Sequence, residues 1–441
     1  MSEPDTHESA DSILRRLEGL GIRLGLDRMR EMLARFGNPE LAAPSMLVAG
    51  SNGKGSTSAL LASIARAAGY RTALYTSPHL ERVEERLQIS GEPIPSDALG
   101  RILARIVEAT ERAGEGLPTY FEAMTLAAFL WFAERRVELA VLEVGLGGRL
   151  DATNVADPML SLIASISLEH REMLGDTLAA IAREKAGILR PARPALVWIE
   201  ADEALDSVRA EAARIGARLE SARDRVRIVR AMPRGWDGQE VEIETARGRY
   251  RLDLALPGEH QLRNLGLAVA AAEQLEELGW SRIDRAAIER GVAACRWPGR
   301  LESLLLPGVN GKAGKRVVLD AAHNPEGAEM LGRFLAERQA ETGEGVDLLL
   351  GLLGDKDAAQ MLGHLAPRAA RIVLTAPPSP RAKDPAELAA LLPPDATVEI
   401  AEVVADLDQA LDRALALSPR TLVVCGSIFL IGAVRERLRQ R

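Results

Sequence analysis

The chain has 441 residues, 47% of them hydrophobic and 27% charged, and a net charge of −8 at neutral pH. That length can hold two or three domains with full cores, and the acidity excludes indiscriminate nucleic-acid binding, which needs an excess of Lys and Arg. Two cysteines, Cys295 and Cys425, have neither metal-ligand spacing nor the density of a disulfide framework, and no apolar run is long enough to span a membrane.

The first twelve residues, MSEPDTHESADS, are polar and acidic, lack a signal-peptide core and are expected to fray. Together with the cysteine usage they point to a cytoplasmic protein. Between residues 11 and 36 apolar positions such as Ile13, Leu14, Leu17, Met29, Met32 and Leu33 recur at helical spacing. Met46-Leu47-Val48-Ala49 then reads as a buried strand. It runs into Gly50-Ser51-Asn52-Gly53-Lys54-Gly55-Ser56 and an apolar helix from about Thr57 to Ala68. Strand, glycine-rich turn and helix form the layout of a phosphate cradle: backbone N–H groups converge on an anion and the helix N-terminus adds positive potential. Lys54 supplies a point charge for the β- and γ-phosphates, and Ser56 or Thr57 a hydroxyl near a magnesium ion. The strict P-loop pattern is not met, because Gly55 separates Lys54 from Ser56 and Val48 stands at the leading glycine. A turn used only for packing is the plainer alternative; the lysine and the strand–helix setting favour a nucleotide.

Arg71 to Tyr75 is a second strand, ending in Thr76-Ser77-Pro78-His79-Leu80. Ser77 is either a magnesium ligand at a strand end or a turn residue before Pro78, and the residue alone favours the turn. Leu99 to Arg112 reads as a helix, and Thr119-Tyr120-Phe121-Glu122 opens a long apolar helix through Phe132. Tyr120 and Phe121 are core residues or a stacking surface for a flat ring. Leu139 to Val144 is an apolar strand with one carboxylate, Glu143, leading into Gly145-Leu146-Gly147-Gly148-Arg149-Leu150-Asp151-Ala152-Thr153-Asn154. A buried glutamate needs a partner, and after a phosphate cradle a magnesium ion is favoured over an ion pair. Leu160 to Ser167 is a strand ending in Leu168-Glu169-His170; magnesium prefers oxygen, so chemistry alone does not make His170 a ligand. Glu184 and Lys185 lie on the next helix, where neighbouring charges are usually solvated.

Pro194 to Ile199 is a further strand, and Val226 to Leu256 alternates as antiparallel hairpins do. Gly258 to Asn264 opens an alanine-rich helix, a second runs from Asp284 to Ala294, and Arg296 to Arg300 is a linker. Strands at Arg316–Asp320, Val346–Leu353, Arg371–Thr375 and Thr421–Val424 then alternate with helices, the pattern of a doubly wound sheet. The expected fold is α/β: a P-loop N-terminal ATPase domain over residues 1–296 and a smaller Rossmann-like C-terminal α/β domain over 297–441. Only six of the 55 Lys and Arg residues are lysines, at 54, 185, 312, 315, 356 and 383. Where arginine serves as the general surface cation, a retained lysine marks chemistry that a guanidinium cannot perform; Lys54, Lys185 and Lys356 have motif-like surroundings, whereas Lys312 and Lys315 sit in a glycine-rich loop.

With no Gly-x-Ser-x-Gly elbow and no setting for a catalytic cysteine, phosphoryl transfer by positioning and charge neutralisation is the simplest chemistry, in a cleft that closes over ATP. The ordered set GSNGKGS, YTSPHL, TYFE, LEVGLGGRLDATN, EKAGI, GEHQLRN, WPGRLE, LDAAHNP, GLLGDKD and CGSIFLIGAV resembles the folylpolyglutamate synthase and bifunctional dihydrofolate synthase family, relatives of the Mur ligases, over nearly the whole chain. The resemblance implies an ATP- and Mg2+-dependent ligase that joins L-glutamate to dihydropteroate or folates through an acyl phosphate, acting as a monomer on small molecules, with neither nucleic acid nor membrane as partner. It implies a phosphate loop at Ser51, Asn52, Gly53, Lys54, Gly55 and Ser56, and magnesium ligands Ser77, Glu143 and His170. It assigns the pterin to Thr119, Tyr120, Phe121, Glu122, Leu150, Asp151 and Ala152, and nucleotide contacts to Asn264, Arg300, Asp320 and His323. Lys185 matches a lysine that is carbamylated in this family, so the resemblance places it with Glu143 and His170 in catalysis. Ser51 replaces a usual threonine, Glu169 a usual aspartate before the histidine, and Ala321-Ala322 precede His323 in place of a usual small-residue variant. The alternatives are a Mur-type ligase acting on a nucleotide-linked precursor and a nucleotide-binding switch that ligates nothing; glutamate consumption separates the last from the others.

Overall fold

The computed structural model describes residues 9–21, 23–114, 116–307, 314–393, 398–417 and 419–440. The fraying expected of the first residues, up to residue 8, and the surroundings of Lys312 lie outside them. The chain divides into two compact units, one of residues 1–230, 242–252 and 263–295, the other of residues 231–241, 253–262 and 296–441.

The first unit is built on strands β1 (Ser45–Ala49), β2 (Thr72–Tyr75), β3 (Leu87–Ile89), β4 (Glu92–Pro93), β5 (Leu139–Glu143), β6 (Leu160–Ile163), β7 (Pro194–Val197) and β8 (Arg218–Ser221). They form one sheet in the order β4-β3-β2-β5-β1-β6-β7-β8. All neighbours from β2 to β8 pair in parallel, and the β3–β4 hairpin closes one edge antiparallel. Strand β1 is buried along its whole length, as is β5, which is why both read as continuous apolar runs: a parallel strand is covered on both faces. Helices Ala10–Glu18, Asp27–Arg35, Ser96–Ala113 and Tyr120–Glu134 contribute Ile13, Leu17, Met29, Met32, Leu99, Ile106 and Met124 to one core with the sheet. The helix Lys54–Ala67 packs on Arg285–Ala294 through Gly291, where a Cβ would lie 2.4 Å from the Ile64 backbone.

Strands β9 (Val226–Pro233), β10 (Gln239–Thr245) and β11 (Gly248–Leu254) make a three-stranded sheet in chain order, with residues in both units. The second unit holds β12 (Glu302–Leu306), β13 (Lys315–Leu319), β14 (Val346–Leu350), β15 (Ala369–Leu374), β16 (Glu399–Val403) and β17 (Leu422–Cys425), ordered β12-β13-β17-β14-β15-β16. Its neighbours are parallel except for the edge strand β12. The α/β class and the parallel sheets agree with the sequence reading.

Two boundaries differ from those expected for a reason that bears on the site. The helix after β1 begins at Lys54, three residues before Thr57, because Gly53 takes the left-handed N-cap position at φ 83°. Strand β6 stops at Ile163 instead of Ser167, because Ser165 and Ser167 bond to the glycine-rich loop.

Candidate active site

Loop 50–53 joins β1 to its helix and is pinned from one side. Ser51 donates its N–H to the Ser165 carbonyl (2.9 Å), and the Asn52 N–H goes to the Ser165 hydroxyl (2.9 Å). The Ser51 hydroxyl donates to the Ser167 carbonyl and accepts the Ser167 N–H, at 3.1 and 2.9 Å. Lys54 turns back over this loop and donates to the carbonyls of Gly50 and Ser51, at 2.7 and 3.0 Å. A Cβ on Gly53 would come within 2.2 Å of Asn264 Oδ1, so the structure brings Asn264 onto the loop. Gly55 and Ser56 lie buried in the first helical turn, and the fully buried Thr57 hydroxyl has no hydrogen-bond partner among the described residues.

Glu143 ends β5 beside the loop strand, paired in register with Val48. It is buried, and its Oε2 accepts the Ser77 N–H at 3.1 Å, so two of the three expected magnesium ligands meet. His170 is exposed and precedes the helix Arg171–Leu174 at φ 43°. Among the described residues no three His, Cys, Asp or Glu side chains cluster as a metal site. A buried carboxylate nonetheless suits a hard, oxygen-loving cation.

Lys185 is buried on the helix Leu178–Ala186 and is not a solvated helix charge. Its Nζ donates to Glu169 Oε1 at 2.6 Å. Burial pulls its pKa below the usual lysine value; the Glu169 charge opposes that shift and the Lys54 charge adds to it. Burial would raise Glu169, but the charges of Lys54 and Lys185 outweigh it and hold that carboxylate ionised. Glu184 takes the surface role, pairing with Arg149 at 2.9 Å. Arg149 and Asn154 bind the backbone of the Lys185 helix and of Gly187, which locks loop 145–154 to that helix.

Thr119 and Glu122 form a capping box: the Thr119 N–H donates to Glu122 Oε2 at 2.7 Å, and the Thr119 hydroxyl accepts the Glu122 N–H at 3.3 Å. Thr-x-x-Glu is itself the sequence pattern of that cap, a signal the motif reading passed over. Phe121 packs on Gly145 and lies 6.2 Å from the Tyr75 ring. Asp151 is buried, accepting from Leu146 N–H (2.9 Å), Thr153 N–H (3.0 Å) and the Thr153 hydroxyl (2.6 Å). Burial raises its pKa despite these bonds. Leu150 and Ala152 flank it in the same loop, Leu150 partly and Ala152 fully buried. Sequence reasoning missed Arg86 and His79: Arg86 Nε donates to His79 Nδ1 at 3.0 Å, and its guanidinium lies 5.0 Å from the centre of the Tyr120 ring. Burial, then the Arg86 charge, holds the His79 imidazole down at about 4.

In the second unit Asp320 follows β13, buried, and accepts the N–H groups of Leu301 (3.0 Å) and Ala322 (2.9 Å). Burial raises its pKa, opposed by the charge of Arg300. His323 Nδ1 bonds the Ala321 carbonyl at 2.8 Å, which turns Nε2 outward from that turn. Arg300, Asp320 and His323 therefore share one end of the second sheet. Both cysteines are buried and, among the described residues, form no disulfide, and among the same residues no helix is long and apolar enough to cross a membrane.

The Mur ligase middle domain matches residues 48–272 and the Mur ligase glutamate ligase domain matches residues 299–428. The dihydrofolate synthase/folylpolyglutamate synthase of Bacillus subtilis is 34% identical over 429 residues, covering 95% of this chain and 96% of that protein. Escherichia coli FolC, solved with DHPP and ADP, superposes with a TM-score of 0.85 at 32% identity over 100% of both chains. A bifunctional folylpolyglutamate synthase/dihydrofolate synthase solved with Mn, AMPPNP and L-glutamate gives a TM-score of 0.81 at 31% identity, over 99% of this chain and 100% of that one. With both domains in order and a third of all positions shared from end to end, the chain belongs to the folylpolyglutamate synthase/dihydrofolate synthase family of the Mur ligases.

Proposed function

We propose that this protein is an ATP-dependent ligase that adds L-glutamate to dihydropteroate, to reduced folates, or to both. The observation that carries it is the juxtaposition of a lysine-bearing anion loop, tied down by Ser165 and Ser167, with a buried carboxylate at the end of the adjoining strand. The carboxylate of the bound acid attacks the γ-phosphorus of ATP, ADP departs, and an acyl phosphate forms. The glutamate amine then attacks the acyl carbon, loses a proton and expels phosphate, leaving an amide.

The backbone N–H groups of residues 53–56 and the Lys54 ammonium hold the phosphates in line. Glu143, Ser77 and His170 would hold a magnesium ion, which when bound neutralises phosphate charge during transfer. Asn264 abuts Gly53 and limits where the nucleotide can lie. Thr119 to Glu122 and Leu150 to Ala152 form the proposed pterin site, with Phe121 as its flat wall. Lys185, once carbamylated, would turn from a cation into an oxygen ligand beside the magnesium. The nucleotide contacts proposed for Arg300, Asp320 and His323 rest on the family resemblance. The enzyme works as a monomer in the cytosol, a reducing setting that two cysteines in 441 residues suit.

The test is ADP release from the full chain with Mg2+, L-glutamate and either dihydropteroate or tetrahydrofolate. ADP formation that requires both an acid and glutamate, and stops with EDTA, is expected. ATP turnover without glutamate consumption would overturn the ligase reading in favour of a switch.

A further inference from the structure

Arg86 is a buried cation that no carboxylate among the described residues pairs with. Only 9% of its surface is exposed, and it forms no ion pair among the described residues. The adjacent Glu85 is unavailable, because its two oxygens accept the N–H groups of Leu80, Glu81 and Arg82. The Arg86 carbonyl accepts the Thr76 N–H at 3.0 Å, which fixes this turn to the end of β2. A buried, uncompensated charge is expensive, and an aromatic face offsets only part of that cost.

The side chain is held in one orientation. Tyr120 lies under the guanidinium, and Nε donates to His79 Nδ1. A guanidinium N–H can only donate, so Nδ1 accepts and the imidazole proton sits on Nε2. What remains is the Nη edge, which makes no hydrogen bond among the described residues. It is a planar fork of parallel donors beside the Tyr120 ring.

Such a fork fits two in-plane acceptors side by side, as arginine fits O6 and N7 of guanine. A 7,8-dihydropterin carries the same pair across its ring fusion, the O4 carbonyl and the N5 imine nitrogen. In a tetrahydropterin N5 is an amine bearing hydrogen, and the in-plane pair is lost. We propose that Arg86, aligned by His79 and Tyr120, reads the O4/N5 edge of a 7,8-dihydropterin and biases the enzyme towards dihydropteroate over tetrahydrofolates. This inference rests on the ligase reading above and names a residue that sets its acid specificity.

Arg86→Lys keeps the charge and removes the fork. Its kcat/KM for dihydropteroate should fall about tenfold or more, the order a bidentate contact discriminates. The value for tetrahydrofolate should change by less than about threefold, with the KM values for ATP and glutamate unmoved. Equal losses with both acids, or none with either, would overturn the assignment and leave Arg86 as a packing residue. A second measurement does not depend on the variant folding: calorimetric titration of the wild-type chain with 7,8-dihydropteroate and with its 5-deaza analogue, which has C–H in place of N5. About tenfold weaker binding of the analogue is expected, and equal affinity overturns the proposal. A wild-type chain that ligates tetrahydrofolate but rejects dihydropteroate sinks the Arg86 reading alone; one that ligates neither acid sinks the ligase reading and this inference with it.

Discussion

Lys185 illustrates how burial and chemistry meet at one side chain. A lysine with 1% of its side chain exposed must be neutral, paired or both, and here the Glu169 contact at 2.6 Å keeps it charged while burial works against that charge. Because burial is the larger influence, the amine deprotonates at lower pH than a free lysine, so more of it can capture CO2 near neutrality. The sign follows: as pH falls through that lowered pKa the ammonium takes over and capture fails. Enzyme stripped of CO2 should therefore regain activity with bicarbonate faster at about pH 9 than at about pH 7, on either side of a Lys185 pKa lowered to about 8. Lys185→Arg cannot form a carbamate; it should melt within a few degrees of wild type, lose most turnover and gain nothing from bicarbonate. Near-normal turnover of that variant would refute the role. Lys185 stands out in the sequence through the rarity of lysine among so many arginines. Its partner could not: Glu169 is sixteen positions away on another segment, and only the fold joins them.

At the level of elements, the glycine-rich loop after β1 depends on one backbone conformation. Gly53 sits at φ 83° and presses on Asn264, so Gly53→Ala combines left-handed strain with a Cβ placed 2.2 Å from the Asn264 amide oxygen. Stability should fall by about 1–3 kcal/mol in urea unfolding, and ATP-analogue binding should weaken by more than tenfold, because relieving the clash moves the loop or its neighbour. Retained affinity would mean the loop does not carry the nucleotide. Elements with strong patterns, such as β1, β5 and the helix Tyr120–Glu134, were legible because burial on all sides leaves a continuous apolar run. Strands β3, β4, β8, β12 and β16 were not. They are edge or near-edge strands of two to five residues with mixed burial, such as the alternating exposure of β8, and their pairing is set by neighbours far along the chain.

On the scale of the whole molecule, one division falls between Cys295 and Arg296, yet the units are not two consecutive stretches of chain. Residues 231–241 and 253–262 belong to the second unit although the first unit surrounds them in sequence. Trp236 packs edge-to-face on Phe334 at 5.4 Å, Asp237 pairs with Arg316 at 3.1 Å, and a Cβ on Gly258 would press on Leu301 at 3.3 Å. A fragment ending at residue 295 keeps these two segments but loses everything in 296–441 that they pack against. An edge-to-face aromatic pair contributes about 0.5–1.5 kcal/mol beyond its burial, and the buried area adds to that, so the segments should detach. The fragment 1–295 should unfold at a lower temperature than the full chain, bind a hydrophobic dye, and show tryptophan emission shifted to the red. Adding the fragment 296–441 in trans should reverse the shift, while carrying Trp236→Ala in the first fragment should abolish that recovery. A fragment 1–295 as stable as the intact protein, with unshifted emission, would show that the two segments fold independently of the residues after 295 and that the break at Cys295 separates two self-sufficient domains.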